Sequence, residues 1–93
     1  SDTMAAAAIG VLRDAGRKVP DDVAVVGFDD APIARHTRPP LTTVRKPIVP
    51  MAQAAVASLL EEINGVPPRN IELVFQCELV VRGSTGSGPL VNR

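Results

Sequence analysis

Two adjacent carboxylates, Asp29 and Asp30, close the apolar stretch AVVGFDD. A carboxylate at the mouth of a crevice accepts hydrogen bonds from sugar hydroxyls or base N–H groups, each worth about 1.5–3 kcal/mol. Side chains that follow one another on extended chain point to opposite sides. One carboxylate is thus expected to face a crevice and the other to cap the turn at Ala31–Ile33. An acid pair can also hold Mg²⁺ in phosphoryl transfer, but that chemistry wants a nucleophile and a basic partner nearby. Lys46 is the only lysine downstream of the pair, and nothing in the sequence fixes it close. Recognition is the stronger reading, and a metal-dependent enzyme using Asp29 and Asp30 the weaker.

The other reactive side chains are few. His36 has no second His or Cys at ligand spacing and reads as a surface residue. Cys77 is the single cysteine, so it has no internal disulfide partner and no companions for a metal cluster; it reads as a small packed residue. No metal and no cofactor are expected. Thr42 and Thr43 suit hydrogen bonds to extended backbone at a chain crossing. Ten Lys and Arg balance ten Asp and Glu, which leaves no net field toward nucleic acid or membrane. The arginines read as scattered, so direct DNA binding by this segment is not expected. No apolar run approaches the roughly 20 residues of a membrane span, and no signal-peptide pattern is present.

The elements that must position these groups follow from periodicity. Met4, Ala8, Val11, Leu12 and Ala15 recur at helical spacing, so Ser1–Gly16 is expected to be a helix, capped by Ser1 or Asp2 and stopped by Gly16. Gly10 and the alanines before it leave a thin surface, suited to packing or to a subunit contact. Val23–Phe28 is apolar without alternation, as in a parallel strand covered on both faces. APIARH reads as one helical turn, and RPPLTTVRKP as extended chain with a short strand at Leu41–Val44. Ile48–Asn64 is the second helix, with an apolar stripe of Ala52, Ala55, Val56, Leu59, Leu60 and Ile63 and a stop at Gly65. Pro50 is acceptable there only within the first turn. Ile71–Phe75 and Glu78–Arg82 read as strands, and the Gly/Ser-rich end GSTGSGPLVNR as mobile. Helices alternating with strands indicate an α/β class. Two helices cannot cover both faces of a buried parallel sheet. The chain, which opens at a helix start without an initiator Met, is therefore expected to be part of a larger fold.

Three stretches jointly resemble the LacI/GalR family of bacterial transcriptional regulators: SDTMAAAAIGVLRDAGRKVPDDVAVVGFDD, PPLTTVRKPIVPMAQAAVASLLEEING and ELVVRGST. The resemblance spans Ser1–Thr85 and is closest to the family's C-terminal part. It implies a two-lobed α/β fold of periplasmic-binding-protein type with a parallel sheet. Residues 1–45 would belong to the C-terminal lobe, 46–75 to the N-terminal lobe and 76–85 to the C-terminal lobe again, with 86–93 a flexible tail. The implied function is that of the C-terminal portion of an effector-binding and dimerisation domain, not an enzyme, in a ligand-responsive DNA-binding regulator. The effector would be a sugar or a nucleobase-like molecule, and effector binding would close the lobes and respace the DNA-binding heads. Operator DNA would be bound through an N-terminal helix-turn-helix absent from this chain, in the cytoplasm and away from any membrane. Asp29 matches the position that bonds effector hydroxyls, while Asp30 holds the following turn. Ser1 falls where many members carry Asn or Asp in the cleft, and Ile48 and Met51 where some members line the pocket with apolar groups. Ala6, Gly10, Ile33, His36 and Thr37 match the homodimer surface. The segment alone is expected to bind neither operator nor effector well, and to cover its open faces by forming a homo-oligomer or a rearranged packing. The alternative is a solute-binding protein of a sugar transporter, which shares the fold.

Overall fold

The computed structural model describes residues 1–68 and 72–86. In chain order these form helix α1 (Asp2–Asp14), a 3-10 turn (Pro32–Arg35), strand β1 (Thr43–Arg45), helix α2 (Ile48–Ile63) and strand β2 (Glu78–Val80). They fall into two compact units. One is Ser1–Arg45 with the described residues from Glu78 onward, and the other is Lys46–Cys77.

In the first unit, Ser1 caps α1 by accepting the Met4 N–H at 3.2 Å. At the other end Gly16 takes φ +76°. Its N–H donates to Arg13 and that of Arg17 to Leu12, so two carbonyls that the helix leaves open are satisfied. The helix buries Ala5 and Ile9 against Ala34 and Leu41, with Val19 and Val25 packed beside them. This is not the stripe expected from periodicity. Met4 and Val11 are exposed, because an alanine-rich helix offers apolar positions on more than one face and spacing alone does not choose between them. Removing Leu41 from water is worth about 1.5–3 kcal/mol.

The expected strand Val23–Phe28 takes part in extended pairing but is not a buried parallel strand. The N–H groups of Val25, Gly27 and Asp29 donate to the carbonyls of Ser84, Thr42 and Val44. Val26–Thr42 is a parallel bridge, and the bonds from Gly27 to Thr42 and from Asp29 to Val44 advance in the same direction along both segments. The one sheet among the described residues is antiparallel, pairing β1 with β2 in the register Thr43–Val80, Val44–Leu79 and Arg45–Glu78. Val26 and Phe28 are 55% and 45% exposed, so among the described residues this segment is not covered on both faces. Of the expected parallel sheet, the described residues show the pairing at Val26–Thr42, beside the antiparallel pair β1–β2. β1 begins two residues later than expected and β2 ends two residues earlier. Residues 72–75 form no strand, and Ile71 lies outside the described residues.

Gly83–Gly86, expected to be mobile, are packed: Ser84 is fully buried, and its Oγ donates to Val25 O and accepts from Thr42 N. Residues 87–93 of the expected tail lie outside the described residues. The peptide bonds before Pro20 and Pro39 are cis.

In the second unit α2 starts after Pro47 without a side-chain cap, and Pro50 sits in its first turn. Gly65, at φ +83°, ends it with the same pair of bonds seen at Gly16: Gly65 N to Glu62 O and Val66 N to Glu61 O. No residue of α2 is buried, and its stripe Val56, Leu59, Leu60 and Ile63 faces outward in this chain. No described helix is long and apolar enough to cross a membrane.

Candidate functional site

The acid pair stands where α1, β1 and β2 converge, within the first unit. Asp2, the first residue of α1, is 1% exposed. One of its oxygens accepts the Ala31 N–H at 2.6 Å, and the other accepts the Thr43 hydroxyl at 2.7 Å. The Thr43 oxygen in turn accepts the Asp30 N–H at 3.3 Å. The sequence reading offered Asp2 only as a helix cap, but it pins the turn after the acid pair to β1. Gly27 makes room for it: a Cβ there would overlap Asp2 Oδ1 and stand 2.7 Å from Leu41 Cδ2.

The two acids then divide their work through the backbone. Asp29 has φ 121° and Asp30 φ 54°, a region L-residues rarely occupy and one whose strain a surrounding network must hold. This corrects the picture of a simple extended pair. Asp30 turns inward and is the structural member. Arg45 Nε donates to its Oδ2 at 2.8 Å and Arg82 NH2 to its Oδ1 at 2.9 Å. The Arg45 bond first, and then the Arg82 bond, hold the Asp30 carboxyl below its ordinary value of 3.8 against an opposing effect of burial. Asp30 raises the Arg45 pKa in return. Arg45 also lies 3.7 Å from Glu78, an exposed pairing of small energetic value.

The crossing of Thr42 over the returning chain completes the frame. Thr42 Oγ1 accepts the Arg82 N–H at 2.8 Å and lies 2.6 Å from Thr85 Oγ1. Arg82 also donates to Leu41 O at 3.0 Å. The role read for Thr42 and Thr43 at a chain crossing is the one observed. Arg45, Arg82 and Ser84 were missed, because their partners lie 15 to 59 residues away in sequence.

Asp29 itself is exposed, with its N–H fixed to Val44 O. Ser1 is exposed next to buried Asp2, its oxygen engaged at the α1 cap. Ile48 and Met51 belong to the second unit, where they stand three residues apart in the first turn of α2, 62% and 40% exposed. Of the residues matched to a dimer surface, Ala6, Gly10, His36 and Thr37 line one shallow depression of about 260 Å³ between α1 and the loop after the 3-10 turn. Ile33 is 40% exposed and is not among its lining residues. Cys77 is exposed rather than packed. No group of three His, Cys, Asp or Glu residues suited to a metal ion occurs among the described residues.

Residues 1–85 match the family of the periplasmic binding protein-like domain. The chain belongs to this family. It is 61% identical over 89 residues to the HTH-type transcriptional regulator MalR of Streptomyces coelicolor, a match covering 96% of this chain and 26% of MalR. Among solved structures, a complex of the transcriptional regulator CelR with cellobiose superposes with a TM-score of 0.84 at 44% identity, covering 90% of this chain and 26% of that one. A LacI family transcriptional regulator from Lactobacillus casei with bound sucrose gives a TM-score of 0.75 at 39% identity, over 90% of this chain and 30% of that one. The likeness is to transcriptional regulators of the LacI/GalR type with a sugar-binding, periplasmic-binding-protein-like fold.

The chain spans about a quarter of the length of the curated regulators MalR and GalR that it matches. This corrects the expectation that it is the C-terminal portion of an effector-binding and dimerisation domain. A match over 96% of this chain and only 26% of the relative does not support that assignment, which is withdrawn.

Proposed function

We propose that this chain is a segment of a sugar-responsive transcriptional regulator of the LacI/GalR type, in which Asp29 accepts hydrogen bonds from the hydroxyls of the effector. The observation that carries the proposal is the division of labour in the acid pair. Asp30 is committed to Arg45 and Arg82, while Asp29 is held at the surface in a rare backbone conformation. Ser1 donates a further hydrogen bond, and Ile48 and Met51 supply apolar contacts to the sugar ring. Residues 1–45 and 76–85 belong to one lobe and 46–75 to another, and effector binding shifts the parent regulator between two states. In the parent regulator this changes operator affinity, in a homodimer joined through Ala6, Gly10, Ile33, His36 and Thr37. The bound cellobiose and sucrose of the similar structures support a sugar as the effector class. A solute-binding protein of a sugar transporter has no observation of its own in its favour.

The test is calorimetric titration of the protein carrying this chain with cellobiose, sucrose and glucose. At least one should bind saturably, and Asp29→Asn should weaken that sugar by about 1–3 kcal/mol while leaving unfolding unchanged. Equal affinity in the variant removes Asp29 from the site.

A further inference from the structure

Four of the chain's cations that read as scattered in sequence converge in the fold. Arg13 lies in the last turn of α1. The Gly16 turn folds Arg17 and Lys18 back beside it, through the Arg17 N–H bond to Leu12. Arg13 NH2 donates to the carbonyl of Arg38 at 2.6 Å, which draws the loop after the 3-10 turn to the same place. Together Arg13, Arg17, Lys18 and Arg38 bound a concave face of about 320 Å³ whose floor includes Ile9 and Val19. Among the described residues Asp21 is the only carboxylate lining it. The neighbouring Asp22 accepts the backbone N–H of Lys18 at 2.7 Å. None of the four cations forms an ion pair among the described residues.

We infer that this concave face binds the phosphate group of a small phosphorylated metabolite. Four cations against one lining carboxylate leave an excess of positive charge in the depression and focus a positive potential there. Guanidinium forks match phosphate oxygens two at a time, and Lys18 adds a point charge. The apolar floor suits the organic part of the ligand, and the volume is on the scale of a small-molecule site, about 300 Å³ or more. A depression of this size takes one ligand group, whereas a nucleic-acid backbone needs a longer track of charge. The acid pair and its network lie outside this face, so the site is independent of the sugar reading, although Ile9, Arg13 and Arg38 also line the depression that holds Ala6, Gly10, His36 and Thr37.

The experiment is calorimetry on the protein carrying this chain at fixed ionic strength, with pyrophosphate, ribose 5-phosphate and adenosine monophosphate as probes. Saturable binding of at least one is expected, weakened about tenfold or more by Arg17→Gln and by Arg38→Gln. Asp21→Asn, which removes the opposing charge, should tighten it. Circular dichroism and melting of all three variants should match the parent, since the backbone contacts of Arg17 and Arg38 survive the substitutions. Tighter binding of adenosine monophosphate than of ribose 5-phosphate marks a nucleotide ligand, and the reverse or equality a sugar phosphate; either supports the site. Absence of saturation, or variants that bind like the parent, overturns the inference. Duplex DNA that binds through the same arginines while the small esters do not also overturns it, in favour of a nucleic-acid contact.

Discussion

Asp2→Ala is the substitution that most sharply tests how the acid pair is held. The Asp2 carboxylate is buried and accepts two hydrogen bonds, from Ala31 N at 2.6 Å and Thr43 Oγ1 at 2.7 Å. Each bond to a charged acceptor is worth about 1.5–3 kcal/mol. Alanine removes both and leaves an amide and a hydroxyl facing inward, while it relieves the cost of burying a charge. Taking the lower end for each bond gives a loss of about 3 kcal/mol, a large share of the 5–15 kcal/mol typical of a folded domain. Asp2→Asn keeps one acceptor oxygen and should lose about half as much. Thr43→Val should lose about 2–3 kcal/mol, because it removes the bond to Asp2 and also the acceptor of the Asp30 N–H. The assay is urea unfolding, read as a lowered midpoint at unchanged slope. The reasoning is refuted if Asp2→Ala shifts stability by less than about 0.5 kcal/mol, the range of ordinary surface changes, or if the Asn and Ala variants are equal.

Three further outcomes follow from the same frame. Gly27→Ala should destabilise by about 1–3 kcal/mol, as overpacking does, and less in the Asp2→Ala background, where one of its two clashes is gone; a double-mutant cycle by urea unfolding measures the difference. Asp30 has a lowered folded-state pKa, so the unfolded chain binds its proton more readily and stability rises with pH through the acid range. That contribution is complete above the ordinary value of 3.8 and is lost as pH falls through the lower folded-state value; in Asp30→Asn the acid limb of a melting-temperature profile should flatten. Ala6→Glu, placed in the depression it shares with Gly10, His36 and Thr37, should lower the dimer fraction in sedimentation equilibrium without changing the circular dichroism spectrum.

Much of the local structure was legible because its causes are local. The helices, their glycine stops at Gly16 and Gly65, and the single turn at Pro32–Arg35 depend on residues within a few positions of each other. The packed face of α1 was misread, since alanine gives little contrast between faces and Ile9 is the one large apolar side chain on the buried side, beside Asp2 and Ala5. The run Val23–Phe28 suggested a strand covered on both faces, but an apolar run reports what a segment can bury and not what surrounds it. The candidate site was half legible. Asp29 and Asp30 stood out by position, but their separate roles depend on Asp2, Arg45 and Arg82, whose partners lie between 15 and 52 residues away. The gathering of Arg13, Arg17, Lys18 and Arg38 is equally nonlocal, made by one glycine turn and one contact 25 residues apart.

The most direct test of the central claim is a crystal structure of the protein carrying this chain with a sugar it binds, whichever of cellobiose, sucrose or glucose titrates. The account predicts an Asp29 carboxylate oxygen within about 2.5–3.0 Å of a sugar hydroxyl, with Asp30 still paired to Arg45 and Arg82. A sugar bound away from Asp29, or held by an Asp30 released from both arginines, would contradict it.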